Sequence, residues 1–370
     1  MNCCYVDKIK NEDQKIYFLR ATEDMSIIKE PSKYLKHKTK QHCSPNTVRS
    51  IAYALSYYID FIHERGIIVQ QVLRMNYSEQ YEHFIDFLSW VQKGNHCNRR
   101  KLPRNNTCNS YLQSVFGYYE FTSLEYDYDG GIKVLRNQDI SYSGLAGVKF
   151  RRGIKMFRGY LPGEESVGRT IEDYKIDILL DASDNLRDKL LISLLTDTGL
   201  RIGEILGIKY AQDIDYEKRT IKVTFREDND NEARAKNAEI RRTKINDKTF
   251  EILQLYISEN RELLSKTGYL FVSMAGEKRG EALTVSAVYS IFRTLEKKTG
   301  IKATPHMFRH NYANERRKRG WEMIRISMAL GHKKTETTEK YIHIEETEML
   351  EACEMYYKEK SNLFDLEKIM

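Results

Sequence analysis

Apolar residues recur every three or four positions along most of this chain, and the places where that rhythm stops divide it. The stretch SPNTVRSIAYALSYYIDFIHERG, from residue 44, opens on serine and proline and then repeats Ile51, Leu55, Tyr58, Ile59 and Ile62. A serine there can accept the amides left unpaired at a helix start, and the repeat gives the helix one face to bury. Tyr81, Phe84, Ile85, Leu88 and Val91 predict a second helix, and Tyr111, Leu112, Val115, Phe116 and Tyr119 a third. Residues 31 to 156 are therefore expected to form a helical domain whose tyrosines serve its core and its interfaces. Ahead of it, YFLR and SIIKE suggest short strands in an N-terminal appendage, residues 1 to 30.

Glycine, proline, serine and charge concentrate in FRGYLPGEESVGRT, which predicts an interdomain linker over 157 to 170. Beyond it, NLRDKLLISLLTDTGLRIGEILGI reads as two helices joined at Thr198-Gly199. TIKVTFRED and EIRRTKIN alternate as strands do and flank a polar turn, so a hairpin or small sheet is expected. Helical periodicity returns around Phe250 to Leu264, Val285 to Thr299, Phe308 to Lys318 and Met323 to Leu330. The expected class is mainly α with a small β-sheet: a helical domain, then a mixed α+β domain over 171 to 345. A tail follows, residues 346 to 370, whose first part has the spacing of an amphipathic helix.

Composition narrows the picture. A length of 370 residues suits two domains, and 41% hydrophobic residues with five prolines allow ordered cores. No stretch approaches eighteen consecutive apolar residues, which excludes a membrane-spanning helix. The start, MNCCYVDKIKNED, turns charged within seven residues and predicts no secretory signal. The six cysteines (Cys3, Cys4, Cys43, Cys97, Cys108 and Cys353) form no CxxC pair and read as reduced thiols of a cytoplasmic protein.

The net charge of +7 says less than its distribution. Lys93, Arg99, Arg100, Lys101 and Arg104 fall within one acid-free stretch, and Lys149, Arg151, Arg152, Lys155 and Arg158 within another. A single run of this kind is as readily a solvated face. Several, each beside a predicted helix, favour a polyanion surface. The tail from Glu345 carries eight acids against three lysines, and so is unsuited to lie on that polyanion.

Four separated clusters in the second domain carry candidate chemistry. DTGLRIGE sets Arg201 after a glycine turn with Glu204 three residues on, and PHMFRH sets His306 and Arg309 on one side of a helix start. LGH places His332 after a glycine suited to a helix end, and Tyr341 follows nine residues later. Arginine forks bind phosphate oxygens in pairs, histidines move protons near neutral pH, and a tyrosine oxygen can attack phosphorus. The set thus suits phosphoryl transfer with no metal and no cofactor. His306 and His310 share the i, i+4 spacing of a zinc site, but Met, Phe and Arg stand between them, and an arginine beside a cation is unfavourable.

TDTGLRIGEILGI, TPHMFRHNYA and MALGHKKTETTEKYIHI resemble the three boxes of the tyrosine recombinase, or phage-type integrase, family. SPNTVRSI and NSYLQSVFGYYEF resemble, more weakly, its helical core-binding (SAM-like) domain. The resemblance implies site-specific cutting and rejoining of double-stranded DNA through a 3′-phosphotyrosyl intermediate. It implies Tyr341 as nucleophile, Arg201 and Arg309 stabilising the phosphorane, His306 assisting proton transfer and His332 bonding a nonbridging oxygen. Glu204 is the support for Arg201. The family's lysine, which protonates the leaving 5′-oxygen, fits Lys236 paired with Arg242, with Lys244 as the rival inside the strand-like run.

Further expectations follow from the likeness: a homotetramer on synapsed DNA, accessory DNA-bending or directionality proteins, a tail docking in trans, and a nucleoid-associated bacterial setting. Taken singly, each cluster has a plain reading as a helix cap, a packed aromatic or an ordinary turn. In this order they are improbable by accident. Three functions stay open: a mobile-element integrase or transposase, a resolvase of chromosome or plasmid dimers, and a DNA-binding protein without catalysis. The N-terminal segment and the long acidic loop EDNDNEARA tilt the reading toward the first.

Overall fold

The computed structural model describes residues 2–11, 14–97, 102–128, 131–143, 149–155, 157–164, 168–226, 229, 231 and 241–331. The chain divides into two compact units, Met1–Glu165 and Ser166–Met370, with the division inside the stretch read as a linker.

The first unit opens on a hairpin, β1 (Cys4–Asn11) and β2 (Gln14–Ala21), paired antiparallel from Cys4↔Ala21 to Asn11↔Gln14. Five helices follow: α1 (Lys29–Lys40), α2 (Pro45–Glu64), α3 (Val69–Arg74), α4 (Tyr77–Gln92) and α5 (Asn105–Glu125). Residues 1 to 30 are less separate than an appendage. Cys4, Tyr17 and Leu19 belong to the same core as the helices, and Asp60 of α2 accepts the amides of Cys3 and Cys4 at 2.8 and 3.3 Å. YFLR lies in β2, whereas SIIKE contributes one isolated bridge at Ile27 before α1 begins.

Local rules account for the helices. Ser44 accepts the Thr47 amide at 3.2 Å with Pro45 opening α2, and Asn76 accepts the Glu79 amide at 3.0 Å at the start of α4. Inside, the Tyr58 hydroxyl lies 2.7 Å from His83 Nε2 and 2.6 Å from the Tyr119 hydroxyl, which ties α2, α4 and α5 together. Burial pushes both phenols up and the His83 imidazole down to about 4, so all three groups are neutral at physiological pH.

Most of the second basic run is a strand. Residues Lys149–Lys155 form β4, paired antiparallel with β3 (Asn137–Ser143) from Asn137↔Lys155 to Ser143↔Lys149, and the following Phe157 is buried in the first unit's core.

The second unit contains α6 (Asp173–Asp181), α7 (Leu186–Thr198), α8 (Ile202–Leu206), α9 (Asp247–Ser265), α10 (Val285–Thr299), α11 (Pro305–Lys318) and α12 (Met323–Leu330). Between α8 and α9 lies an antiparallel sheet of β5 (Ile214–Asp215), β6 (Thr220–Val223) and β7 (Arg241–Lys244), in that order. Its core is mainly aliphatic, whereas the first unit's mixes aliphatic with many aromatic side chains. The α11 helix has a foot in two cores: Phe308 packs into the main one, while Tyr312 and Ala313 form a smaller one with Ile326 and Leu330. Among the described residues, no helix is long and apolar enough to cross a membrane.

Candidate active site

Two glycines shape the backbone here. Gly199 ends α7 with φ +57°, a left-handed conformation that side chains disfavour, and a Cβ on it would lie 2.7 Å from the Tyr312 ring. The chain turns there and delivers Arg201 in extended geometry at the start of α8. Gly331 ends α12 in the same way, at φ +65°.

One turn into α8, Glu204 is buried with a fully covered side chain and full hydrogen bonding. Its Oε2 accepts the Arg201 amide at 2.8 Å, and its Oε1 accepts Arg201 Nη1 at 3.1 Å. A second guanidinium comes from β7: Arg241 donates Nη2 to Oε2 at 2.7 Å and Nη1 to Oε1 at 3.2 Å. That paired fork is the strong, directional form of a charged hydrogen bond. Burial alone would raise the Glu204 carboxyl, but its bonds to Arg241, and then to Arg201, outweigh that and hold it below its ordinary value. Arg241 also reaches the end of α12, where its Nε donates to the Ala329 carbonyl at 3.2 Å.

Arg309 joins the separated clusters. It is 1% exposed, and its Nη1 donates to the Gly199 carbonyl at 2.6 Å while Nη2 donates to the Leu330 carbonyl at 2.7 Å. One buried cation thus ties the turn two residues before Arg201 to the helix end two residues before His332. Three of the four sequence clusters meet at this point. His306 stands three residues ahead of Arg309 at the start of α11 and is exposed.

Lys236, His332 and Tyr341 lie outside the described residues, as do Arg99, Arg100, Lys101 and the tail. Lys93 follows α4 and is exposed, as are Arg104 at the head of α5 and Arg158; Arg104 lies 3.9 Å from Glu164. Lys149, Arg151, Arg152 and Lys155 are placed on β4 by its backbone.

The sequence reading missed Arg241 and paired Lys236 with Arg242 instead. The Arg242 side chain is 59% exposed, 4.0 Å from Asp215, whereas that of Arg241 is 12% exposed against Glu204. Lys244 is exposed on β7 opposite Thr220. The phase of the strand held the signal: Ile245 is buried, and strand residues alternate faces, which sets 241 and 243 inward and 242 and 244 outward. In the long acidic loop, Asn231 is buried and donates to the carbonyls of Leu206 and Leu283 at 2.9 and 3.0 Å.

Residues 169–348 match the phage integrase family. The chain is 25% identical over 367 residues to transposase A from transposon Tn554 of Staphylococcus aureus, covering 96% of this chain and 98% of that protein. It is 32% identical over 176 residues to tyrosine recombinase XerA of Saccharolobus solfataricus, covering 48% of this chain and 52% of that protein. Among solved structures it shares the fold of the Tn1549 transposon integrase in complex with a circular intermediate DNA. There the TM-score is 0.60 at 16% identity, covering 88% of this chain and 98% of that one.

Proposed function

We infer that this protein, a tyrosine recombinase by the phage integrase domain of its residues 169–348, integrates or excises a mobile genetic element by cutting and rejoining DNA through a 3′-phosphotyrosyl intermediate. The observation that carries the reading is Arg309, buried between the carbonyls of Gly199 and Leu330, because it draws the Arg201, His306–Arg309 and Leu330–Gly331 segments to one place.

In the reaction, the Tyr341 oxygen attacks the scissile phosphorus, and the bond from phosphorus to the 5′-oxygen breaks. A phenol has an ordinary pKa of about 10, so the attack needs its proton taken, a role assigned to His306. Arg201 and Arg309 face the charge that grows on the nonbridging oxygens, a preorganised field that needs no rearrangement at the moment of reaction. His332 donates to one of those oxygens, and Lys236 gives its proton to the departing 5′-oxygen. A 5′-hydroxyl from another strand then attacks the phosphotyrosine and restores both the DNA and Tyr341. The bond energy is conserved throughout, so the donor set calls for no nucleotide and no metal.

The transposon reading is placed ahead of a dimer resolvase on the N-terminal segment, the long acidic loop and the likeness to the Tn554 transposase, which covers 96% of this chain and 98% of that protein. Double-stranded DNA is the substrate. Lys93, Arg104, Arg158 and the cations of β4, with Arg99, Arg100 and Lys101, are assigned to its phosphates, where they supply affinity more than sequence choice. Exchange between two duplexes needs four strand cuts and therefore four copies of the chain, with the tail after Tyr341 linking neighbours in trans. The setting is the bacterial nucleoid, with accessory bending or directionality proteins at the element ends.

The polarity of the cut tests this. A nicked duplex that traps the intermediate is incubated with protein in EDTA and then digested with protease. The expected products are a 3′-end bearing a peptide and a 5′-end that polynucleotide kinase labels without prior phosphatase. Ends carrying 5′-phosphate, or complete loss of cutting in EDTA with rescue by magnesium, would overturn it.

A further inference from the structure

We propose that Arg241 is a positioning residue of the cleavage centre, keeping the Arg201 charge available and in place by sharing Glu204, while bracing the turn that leads into His332. This rests on the reading above, in which Arg201 meets the scissile phosphate. Arg241 itself is assigned no DNA contact in that reading: its Nε, Nη1 and Nη2 are all taken up by the Ala329 carbonyl and the Glu204 carboxylate.

The charge count explains why a second arginine belongs here. Glu204 offers one negative charge to two guanidinium groups. The fork of Arg241 takes both carboxylate oxygens, whereas the Arg201 side chain makes a single contact, through Nη1 at 3.1 Å. The carboxylate is thereby balanced mainly by Arg241, and Arg201 retains charge to present to a phosphate. Remove Arg241, and Glu204 has Arg201 as its remaining partner in this set. A two-oxygen pair between them would neutralise the cation that the reaction needs and turn its fork away from the phosphate. Packing supports a second task. A Cβ on Gly331 would lie 2.7 Å from Arg241 Cζ, so the guanidinium packs closely against the glycine that precedes His332.

The test measures single-turnover cleavage by the full-length protein on two substrates. One is an ordinary nicked duplex; the other carries a methylphosphonate at the scissile position, where a methyl replaces a nonbridging oxygen and removes the charge that Arg201 is needed to offset. Arg241→Met is expected to bind DNA as the parent does and to cleave the ordinary duplex about tenfold to a hundredfold more slowly, a fraction of the loss from removing a direct transition-state donor. On the methylphosphonate that loss should shrink, as it should for Arg201→Ala. Glu204→Gln placed in Arg241→Met should recover part of the rate, since it lifts the neutralising charge from Arg201. A merely structural role predicts the opposite: equal losses on both substrates and a double variant worse than either single one. Either result, or cleavage by Arg241→Met at the parental rate while Arg201→Ala is slow, overturns the proposal. Should Arg241→Met fail to fold, Arg241→Lys keeps a charge in the core and carries the same two-substrate comparison, with a smaller loss expected and equal losses again overturning it. Cleavage by Arg201→Ala at the parental rate would instead sink the reading of the site itself.

Discussion

In the first unit, Tyr58 stands between His83 and Tyr119; in the second, Glu204 stands between Arg201 and Arg241. Both triads centre on a buried group and both tie in an element distant in sequence, yet one is wholly neutral and the other carries three formal charges. The neutral triad follows the rule for a stable interior: hydroxyl and imidazole satisfy one another inside an aromatic shell, with no ion taken out of water. The charged triad departs from it. Buried ion pairs commonly stabilise no more than an apolar core of the same volume would, because desolvation offsets their attraction. With Arg309 buried nearby, the second unit concentrates cations where stability alone gives no reason for them. The phosphate of the proposed reaction would give that reason.

The comparison can be broken most sharply at Glu204. Glu204→Ala leaves two guanidinium groups without their carboxylate, and the second unit should lose about 3 to 5 kcal/mol, the usual consequence of removing one member of a buried charged set. Hydrogen exchange should show the loss in peptides of α7, α8 and β7, with those of the first unit unchanged. Equal deprotection of both units would contradict the separation drawn here.

Acid should act on the other triad. His83 titrates near 4 when folded and near 6.5 when free, so between those values the unfolded chain binds the extra proton. The contribution of its neutral form is fully present above pH 6.5 and is lost as pH falls toward 4, a difference of about 3 kcal/mol at most. Protection of α2, α4 and α5 should therefore weaken across that window. His83→Phe should flatten the response, and an unchanged pH profile in that variant would assign the acid sensitivity elsewhere.

Tyr58→Phe sharpens the contrast by removing one oxygen from the neutral triad. It leaves His83 and Tyr119 short of a partner and should cost the first unit about 1 to 3 kcal/mol, with cleavage chemistry intact once the protein is folded. Gly331→Ala is the smallest expected change in stability, about 1 to 2 kcal/mol for a side chain in left-handed backbone, but it presses on Arg241 and should slow cleavage beyond what its melting temperature accounts for. A normal rate per folded molecule would detach Gly331 from the site.

Much of this was legible in the chain because it depends on local rules. Ser44-Pro45 and the stripe from Ile51 to Ile62 mark α2, Gly199 marks the turn before Arg201, and Pro305 marks the start of α11. What escaped depends on partners distant in sequence. The run KFRRGIKMFR reads as a basic patch, and it becomes a strand because NQDISYS pairs with it. Cys4 and Leu19 look peripheral until Asp60 and the helical core cover them. Arg241 and Arg242 are adjacent and chemically identical, and only the face of β7 that meets Glu204 separates a largely covered arginine from an exposed one.

Arg201 and Arg309 are proposed to flank a phosphate attacked by Tyr341. Incubating the full-length protein with a nicked recombination-site duplex and resolving the products under denaturing conditions tests it most directly. The account predicts a covalent protein–DNA adduct that forms with the parent chain in EDTA and disappears in Tyr341→Phe while DNA binding persists. An adduct of undiminished yield in Tyr341→Phe would contradict it.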